Sequence, residues 1–308
     1  AYGVNHHVYH GMPYNTIGSD TNTFFATTYF GPNGSLSDEL PQFNSYIEKV
    51  SKYLQIGKTY SDIAVYIPHE DGIVKGAYPP KRQRVWVWGE YELRYIDPPK
   101  ELEGYHPLWI NKNFLEKAKF TNGKLVVGDA SFSMLYIDVN YMDNKALNRI
   151  VELAGNGLPI CLKRIPLEPS KIKSDNYQEQ LNKLMKFPNV KRELNDILVT
   201  SPLVKADSLP NYWCKVDHEG NAYLFLAQWK SKNLTYPVYS GQSYINQENS
   251  LPLTIHYNGN RREIEVLFKP YQSVMIKISP TGKTELIDIS FTPKDPIIRP
   301  REKQRTYF

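Results

Sequence analysis

Only two cysteines occur in 308 residues, so no disulfide framework organises the chain and no redox compartment can be assigned from it. Cys161 lies in the apolar run Leu158-Pro159-Ile160-Cys161-Leu162, and Cys214 follows Trp213. Both read as small buried hydrophobes. No run of about 18 apolar residues exists and the mean hydropathy is −0.50, so no segment reads as a membrane-crossing helix. No block of five like charges occurs. The net charge of +5 is spread thinly, and its densest basic stretch is Lys81-Arg82-Gln83-Arg84. A nucleic-acid binder should show a basic face or a binding motif, and neither is present. Neither a nucleic acid nor a membrane is therefore expected as a partner. Phosphate loops are also missing: neither G-x-x-x-x-G-K-S/T nor G-x-G-x-x-G occurs, and no nucleotide or flavin is expected. No G-x-S-x-G follows a strand; Val127-Gly128-Asp129-Ala130-Ser131 stands where such an elbow would be. No H-E-x-x-H or similar ligand pattern points to a metal. The expected cofactor and metal sets are both empty.

What is abundant is tyrosine (23) and proline (22). Tyr and Trp offer flat amphipathic surfaces suited to sugar rings and protein contacts, although enrichment in β-sheet accounts for most of them. Trp229, Tyr236, Tyr239 and Tyr244 could form a sugar-stacking platform, with core and interdomain packing the commoner use of such residues. Histidine is unevenly placed: three of the seven lie in the first ten residues. Asn5, His6, His7, Tyr9, His10, Gly11 and Tyr14 form a polar and aromatic cluster at the end of a strand-like stretch. First residues of a mature domain are usually solvated and loosely ordered. The expectation is a chain that starts inside a catalytic domain of a longer protein. On a strand, His6, Val8 and His10 share one face and Asn5, His7 and Tyr9 the other. The candidate substrate-binding residues are Asn5, His6, His10 and Tyr14.

The periodicities predict α/β plus all-β organisation. Leu40, Phe43, Ile47, Val50 and Leu54 recur at helical spacing, with Asp38 as a candidate cap and Gly57 as the terminating glycine. Asp62–Pro68 is a short apolar run and reads as a buried parallel strand. Residues 69–108 read as irregular. Ile110–Lys119 reads as a helix, Lys124–Gly128 as a second parallel strand, and the stretch from Asp143 to Gly155 as a helix. Leu158–Lys163 reads as a third strand, 175–195 as helical, and Ile197–Val199 as a last strand. This alternation indicates a doubly wound α/β domain over 59–205. Beyond Pro210 short strands follow one another, separated by turn signals. Asn258-Gly259 is the strongest hairpin signal among them. A C-terminal antiparallel β-sandwich is expected over 206–292, followed by a Pro- and Arg-rich tail at 293–308.

The segments Asn5-His6, Tyr9-His10-Gly11 and Pro13-Tyr14 resemble part of the family 106 glycoside hydrolases, which include α-L-rhamnosidases. So do Asn44-Ser45-Tyr46-Ile47, Tyr53–Thr59 and Ser61–Pro68. Trp109-Ile110-Asn111, Lys124–Gly128 and Leu158-Pro159-Ile160 resemble, more loosely, the flavodoxin-like domain that follows the barrel in family 42 β-galactosidases. The resemblance implies that residues 1–58 are the remnant of the end of a TIM barrel: its last strand, a loop and its last helix. It implies a flavodoxin-like domain next, and catalytic carboxylates on earlier strands, upstream of Ala1. Glycoside hydrolysis needs a carboxyl pair across the scissile bond, and Glu39, Glu48, Glu90 and Glu92 do not supply one convincingly. No catalytic residue is therefore assigned to this chain, which alone is expected to be inactive. The implied partners are an oligosaccharide or polysaccharide substrate of the parent, the missing barrel portion, and a second copy in a homo-oligomer. The implied location is periplasmic or secreted. The alternative reading is a non-enzymatic carbohydrate-binding or oligomerisation module. The group Trp86, Trp88, Tyr91, Tyr95 and Trp109 is too aromatic for a segment facing only water, which favours a packing or oligomerisation role for the α/β domain.

Overall fold

The computed structural model describes residues 3–9, 38–76, 78, 83–88, 91–169, 171, 173–197, 200–227, 248–269 and 272–290, with backbone alone at 84–88 and 91–95. The chain divides into two compact units. One comprises residues 1–57, 210–252 and 264–308; the other comprises 58–209 and 253–263.

The second unit opens with the short strand β1 (Lys58–Thr59) and is built on a parallel sheet. Its strands are β2 (Ile63–Tyr66), β5 (Leu108–Ile110), β9 (Met134–Ile137), β10 (Ile160–Leu162) and β11 (Val190–Lys191). They lie in the spatial order β5-β2-β9-β10-β11, every neighbouring pair parallel. Alternation splits the sheet into two cores. Ala64, Tyr66, Leu135, Ile137, Ile160 and Leu162 pack with Leu147, Ile150 and Val151 of α4 (Asn144–Gly155) and Leu181 and Leu184 of α5 (Tyr177–Lys186). Ile63, Val65, Met134, Tyr136 and Cys161 face the other way. They are covered by Leu102, Tyr105, Leu194 and Ile197, residues of or beside two short 3-10 turns. Burial on both faces explains why β2, β9 and β10 are continuous apolar runs.

Several sequence expectations change here. The helix expected over 175–195 is only Tyr177–Lys186, followed by β11 and a 3-10 turn at Leu194–Asp196. Lys124–Val127 is a strand, but it is the centre of an antiparallel meander of β6 (Lys119–Thr121), β7 (Lys124–Val127) and β8 (Ala130–Phe132). The parallel strand is the following Met134–Ile137. The reason is the turn chemistry: Asn122 and Gly123 both take positive φ and fold β6 back on β7. Residues 69–108 are not wholly irregular. They hold α2 (His69–Lys75), the hairpin β3 (Gln83–Trp88) and β4 (Tyr91–Ile96), and the edge strand β5. Ile197 lies in a turn, Leu198 and Val199 lie outside the described residues, and the outer strand is β11 instead. Lastly, α1 (Leu40–Leu54) begins after Glu39 rather than being capped by Asp38, and Pro41 occupies its first turn. The cap of α4 is as read: the Asp143 carboxylate accepts from Lys145 N at 2.8 Å.

In the first unit, β13 (Tyr212–Val216), β14 (Ala222–Leu226), β17 (Val274–Ile278) and β18 (Thr284–Ile287) are antiparallel neighbours. Tyr223, Phe225 and Met275 of that sheet pack against Val50 and Leu54 of α1. The helix and the C-terminal strands thus share one core. Gly57 ends the helical segment at φ 50°, and a Cβ there would lie 2.0 Å from Val216 O, so only glycine fits. The strands β15 (Asn249–Tyr257) and β16 (Asn260–Phe268) pair in a three-stranded sheet with β12 (Val204–Lys205). Their turn is Asn258-Gly259 with φ 48° and 77°, the conformation that dipeptide was expected to supply. The tail at 293–308 lies outside the described residues.

Candidate functional site

Of the four candidate binding residues, Asn5 and His6 are described and both are exposed; His10 and Tyr14 lie outside the described residues. Residues 4–9 form no regular secondary structure. A strand needs a neighbour to accept its ladder, and among the described residues none pairs with this segment.

Three contacts hold it against the rest of its unit. The Trp213 ring lies against Gly3, so close that a Cβ there would come within 2.9 Å of it. Gln55 Nε2 donates to the Asn5 carbonyl at 2.7 Å, and the Tyr9 hydroxyl donates to Asn44 Oδ1. Asn44 and Gln55 are about 16 Å apart along α1 at 1.5 Å per residue. With Asn5 beside Gln55 and Tyr9 beside Asn44, the segment runs antiparallel to α1. Residues 4–8 are all exposed. His7 meets Tyr9 (centroids 4.7 Å apart) and Phe43 (6.3 Å) edge to face, on the helix side. Val4 and Val8, of opposite parity, are 65% and 77% exposed. His6 belongs to that second set.

Elsewhere the described residues offer no metal cluster of His, Cys, Asp and Glu. Asp129 lies in the β7–β8 turn, and Asp138 pairs with Arg164 Nε at 2.7 Å. Glu39 precedes α1, Glu48 is exposed on it, and the side chains of Glu90 and Glu92 lie outside the described residues. So do Trp229, Tyr236, Tyr239 and Tyr244, and the side chains of Trp86, Trp88, Tyr91 and Tyr95. Trp109, in β5, packs half-buried beside Val65 and Tyr136. Cys161 and Cys214 are both buried thiols. Burial pushes the Cys161 thiol up to about 12, which removes it as a nucleophile.

Sequence reasoning missed the carboxyl edge of the parallel sheet. There, Asp71 is 1% exposed and clamps the loop after β9. It accepts from Asn140 N at 3.0 Å, Asn140 Nδ2 at 2.7 Å and Tyr141 N at 2.7 Å. Beside it the Tyr66 hydroxyl donates to Glu70 Oε1 at 2.8 Å. Burial, with the Glu70 carboxylate second, drives the Tyr66 phenol far above its ordinary range, so it stays a donor. A cavity of about 230 Å³ opens between the ends of β2 and β5, lined by Tyr66, Ile67, His69, Glu70, Asn111, Lys112 and Asn113. The one signal in the sequence was position: loops after parallel strands are where such sheets bind ligands.

No family model matches the chain, and no curated protein matches it. Among solved structures it is similar to a rhamnosidase from Novosphingobium sp. PP1Y, with a TM-score of 0.52 at 14% identity. The fold is rhamnosidase-like. The match covers 92% of this chain and 27% of that enzyme, so the chain spans about a quarter of its length.

Proposed function

We propose that this chain is the C-terminal region of a glycoside hydrolase related to the α-L-rhamnosidases of family 106, and that residues 3–9 and α1 are the last strand and last helix of its (β/α)₈ barrel. The observation that carries this reading is the contact of residues 5–9 with α1, made by the Asn5 carbonyl, His7 and Tyr9. In a barrel each strand shows one face to its covering helix and the other to the interior. His7 and Tyr9 touch α1, while Val4 and Val8 are bare at 65% and 77% exposure. Valines this exposed fit a strand whose barrel neighbours lie outside the chain. The strand reading puts His6 and His10 toward the interior, at the end where barrel active sites lie, as sugar-binding residues; Asn5, of the other parity, and Tyr14 complete the proposed set. The catalytic carboxylates belong to the earlier strands, and the chain by itself has no activity.

The spatial order β5-β2-β9-β10-β11 supports a flavodoxin-like assignment for the α/β domain, since it is the 2-1-3-4-5 order of that fold. Its role in this reading is packing or assembly rather than cofactor chemistry. The boundaries proposed are 1–58 for the barrel remnant, 59–205 for the α/β domain and 206–292 for the β-sandwich. The substrate is an oligosaccharide or polysaccharide handled outside the cytoplasm.

The test is His6→Ala in the polypeptide that carries the whole barrel. A fall in kcat/KM of about tenfold or more, about 1.4 kcal/mol of transition-state binding, is expected. Unchanged kcat/KM with a lowered Tm would make His6 a packing residue.

A further inference from the structure

We propose that the cavity between the carboxyl ends of β2 and β5 binds a small, neutral, polyhydroxylated molecule of monosaccharide size. The site lies wholly within residues 58–209 and does not depend on the glycosidase reading. Its volume, about 230 Å³, is below the range of about 300–1,000 Å³ usual for drug-sized ligands. It therefore suits a single small ring.

The lining decides the ligand's charge. Glu70 and Lys112 both reach the wall. An anion would meet the Glu70 carboxylate and a cation the Lys112 ammonium, which is itself paired with Asp143 Oδ2 at 3.6 Å, and burying an unmatched charge is expensive. A neutral ligand can use both. Hydrogen-bonding capacity decides its chemistry. One Glu70 oxygen is taken by the Tyr66 hydroxyl at 2.8 Å, and the other is buried without a hydrogen-bond partner. A carboxylate oxygen left in that condition favours a donor brought by a ligand once its side chain turns to meet it. Asn111 spends its Oδ1 on Phe114 N at 3.1 Å, which leaves its NH₂ to donate. Asn113 and Lys112 add further donors. Ile67 and the Tyr66 ring supply apolar wall. Acceptors and donors of both kinds beside an apolar wall match hydroxyl groups on a carbon ring, each of which both gives and takes a hydrogen bond. The frame is held before any ligand arrives: Asp71 ties the start of α2 to the loop after β9, and Asn111 caps α3 (Lys112–Lys117). A pre-ordered wall lowers the entropy cost of binding.

The experiment is an amide NMR titration of the chain with L-rhamnose, D-galactose, D-glucose and glycerol, and with inorganic phosphate in parallel. At least one of the polyols should give saturable shifts at Ile67, His69, Glu70 and Asn111–Asn113, with millimolar affinity and no response to phosphate. Glu70→Gln, which preserves size and an acceptor for Tyr66, should weaken binding about tenfold, as expected for a hydrogen bond to a charged group. Lys112→Ala is the second variant, since Lys112 sits at the protein surface and its loss should not impair folding; it should weaken binding also. No saturable shift with any polyol would overturn the proposal. So would polyol binding unchanged in both variants, or saturable binding of phosphate instead.

Discussion

Asp62 and His106 make the pH dependence of the α/β unit a sharp test of how burial acts. Both are 5% exposed. Asp62 precedes β2; it accepts from the Tyr60 hydroxyl at 2.7 Å on Oδ1, and its Oδ2 is buried without a hydrogen-bond partner. Burial pushes its carboxyl up from 3.8 to about 7, against smaller opposing effects of Tyr60 and Lys124. Burial pushes the His106 imidazole down from 6.5 to about 4. The signs oppose. Asp62 holds its proton more tightly when folded, so its contribution is full below about pH 4 and is lost as pH rises through about 7. At about 1.4 kcal/mol per pH unit this amounts to at most about 4 kcal/mol. His106 binds its proton less tightly when folded, so its contribution is full above about pH 6.5 and is lost as pH falls through about 4, at most about 3 kcal/mol. Between those limits the two slopes cancel. Asp62→Asn removes one of them. The variant should be more stable than the parent by roughly 2–4 kcal/mol near pH 8, and the difference should shrink toward zero near pH 4. Urea unfolding of both proteins across that range measures it, and taking the difference removes the other titrating groups. A difference constant with pH would refute the reasoning, because Asp62 would then carry the same charge folded and unfolded across that range.

Three further outcomes are expected. His106→Gln should show the opposite pattern, its stability relative to the parent rising as pH falls from about 7 to 4, in the same urea series. Gly57→Ala must place a Cβ 2.0 Å from Val216 O at a positive φ, and should cost about 2 kcal/mol or more, read as a lowered Tm. Asp71→Ala strands the three donors of Asn140 and Tyr141 and should cost about 3 kcal/mol or more, whereas Asp71→Asn should cost less, by thermal unfolding.

Elements with local signatures were legible in the sequence. Ile63–Tyr66 is apolar without a break because both sheet faces are covered. The helix Asn144–Gly155 carries its own cap in Asp143, and Asn258-Gly259 its own turn geometry. Elements that depend on distant partners were not. Lys124–Val127 and Met134–Ile137 are both four-residue runs rich in apolar side chains, and a run that short does not say whether its neighbour is parallel or antiparallel. Only Asn122-Gly123 did, and it signals a hairpin. The helix His69–Lys75 was hidden because its buried residue is Asp71, held by hydrogen bonds rather than by an apolar stripe. Residues 4–9 were expected as a strand and form no regular secondary structure, because strand formation depends on partners that the local sequence does not carry. The cavity joins Tyr66–Glu70 to Asn111–Asn113, far apart in the chain, and carries no contiguous motif.

The most direct test of the central claim is turnover of aryl glycosides, α-L-rhamnoside and β-galactoside among them, by the chain alone and by the longer polypeptide carrying the barrel. The account predicts hydrolysis by the longer polypeptide and none above buffer by the chain. Hydrolysis by the chain that a single Asp or Glu substitution abolishes, or no hydrolysis of any glycoside by the longer polypeptide, would contradict it.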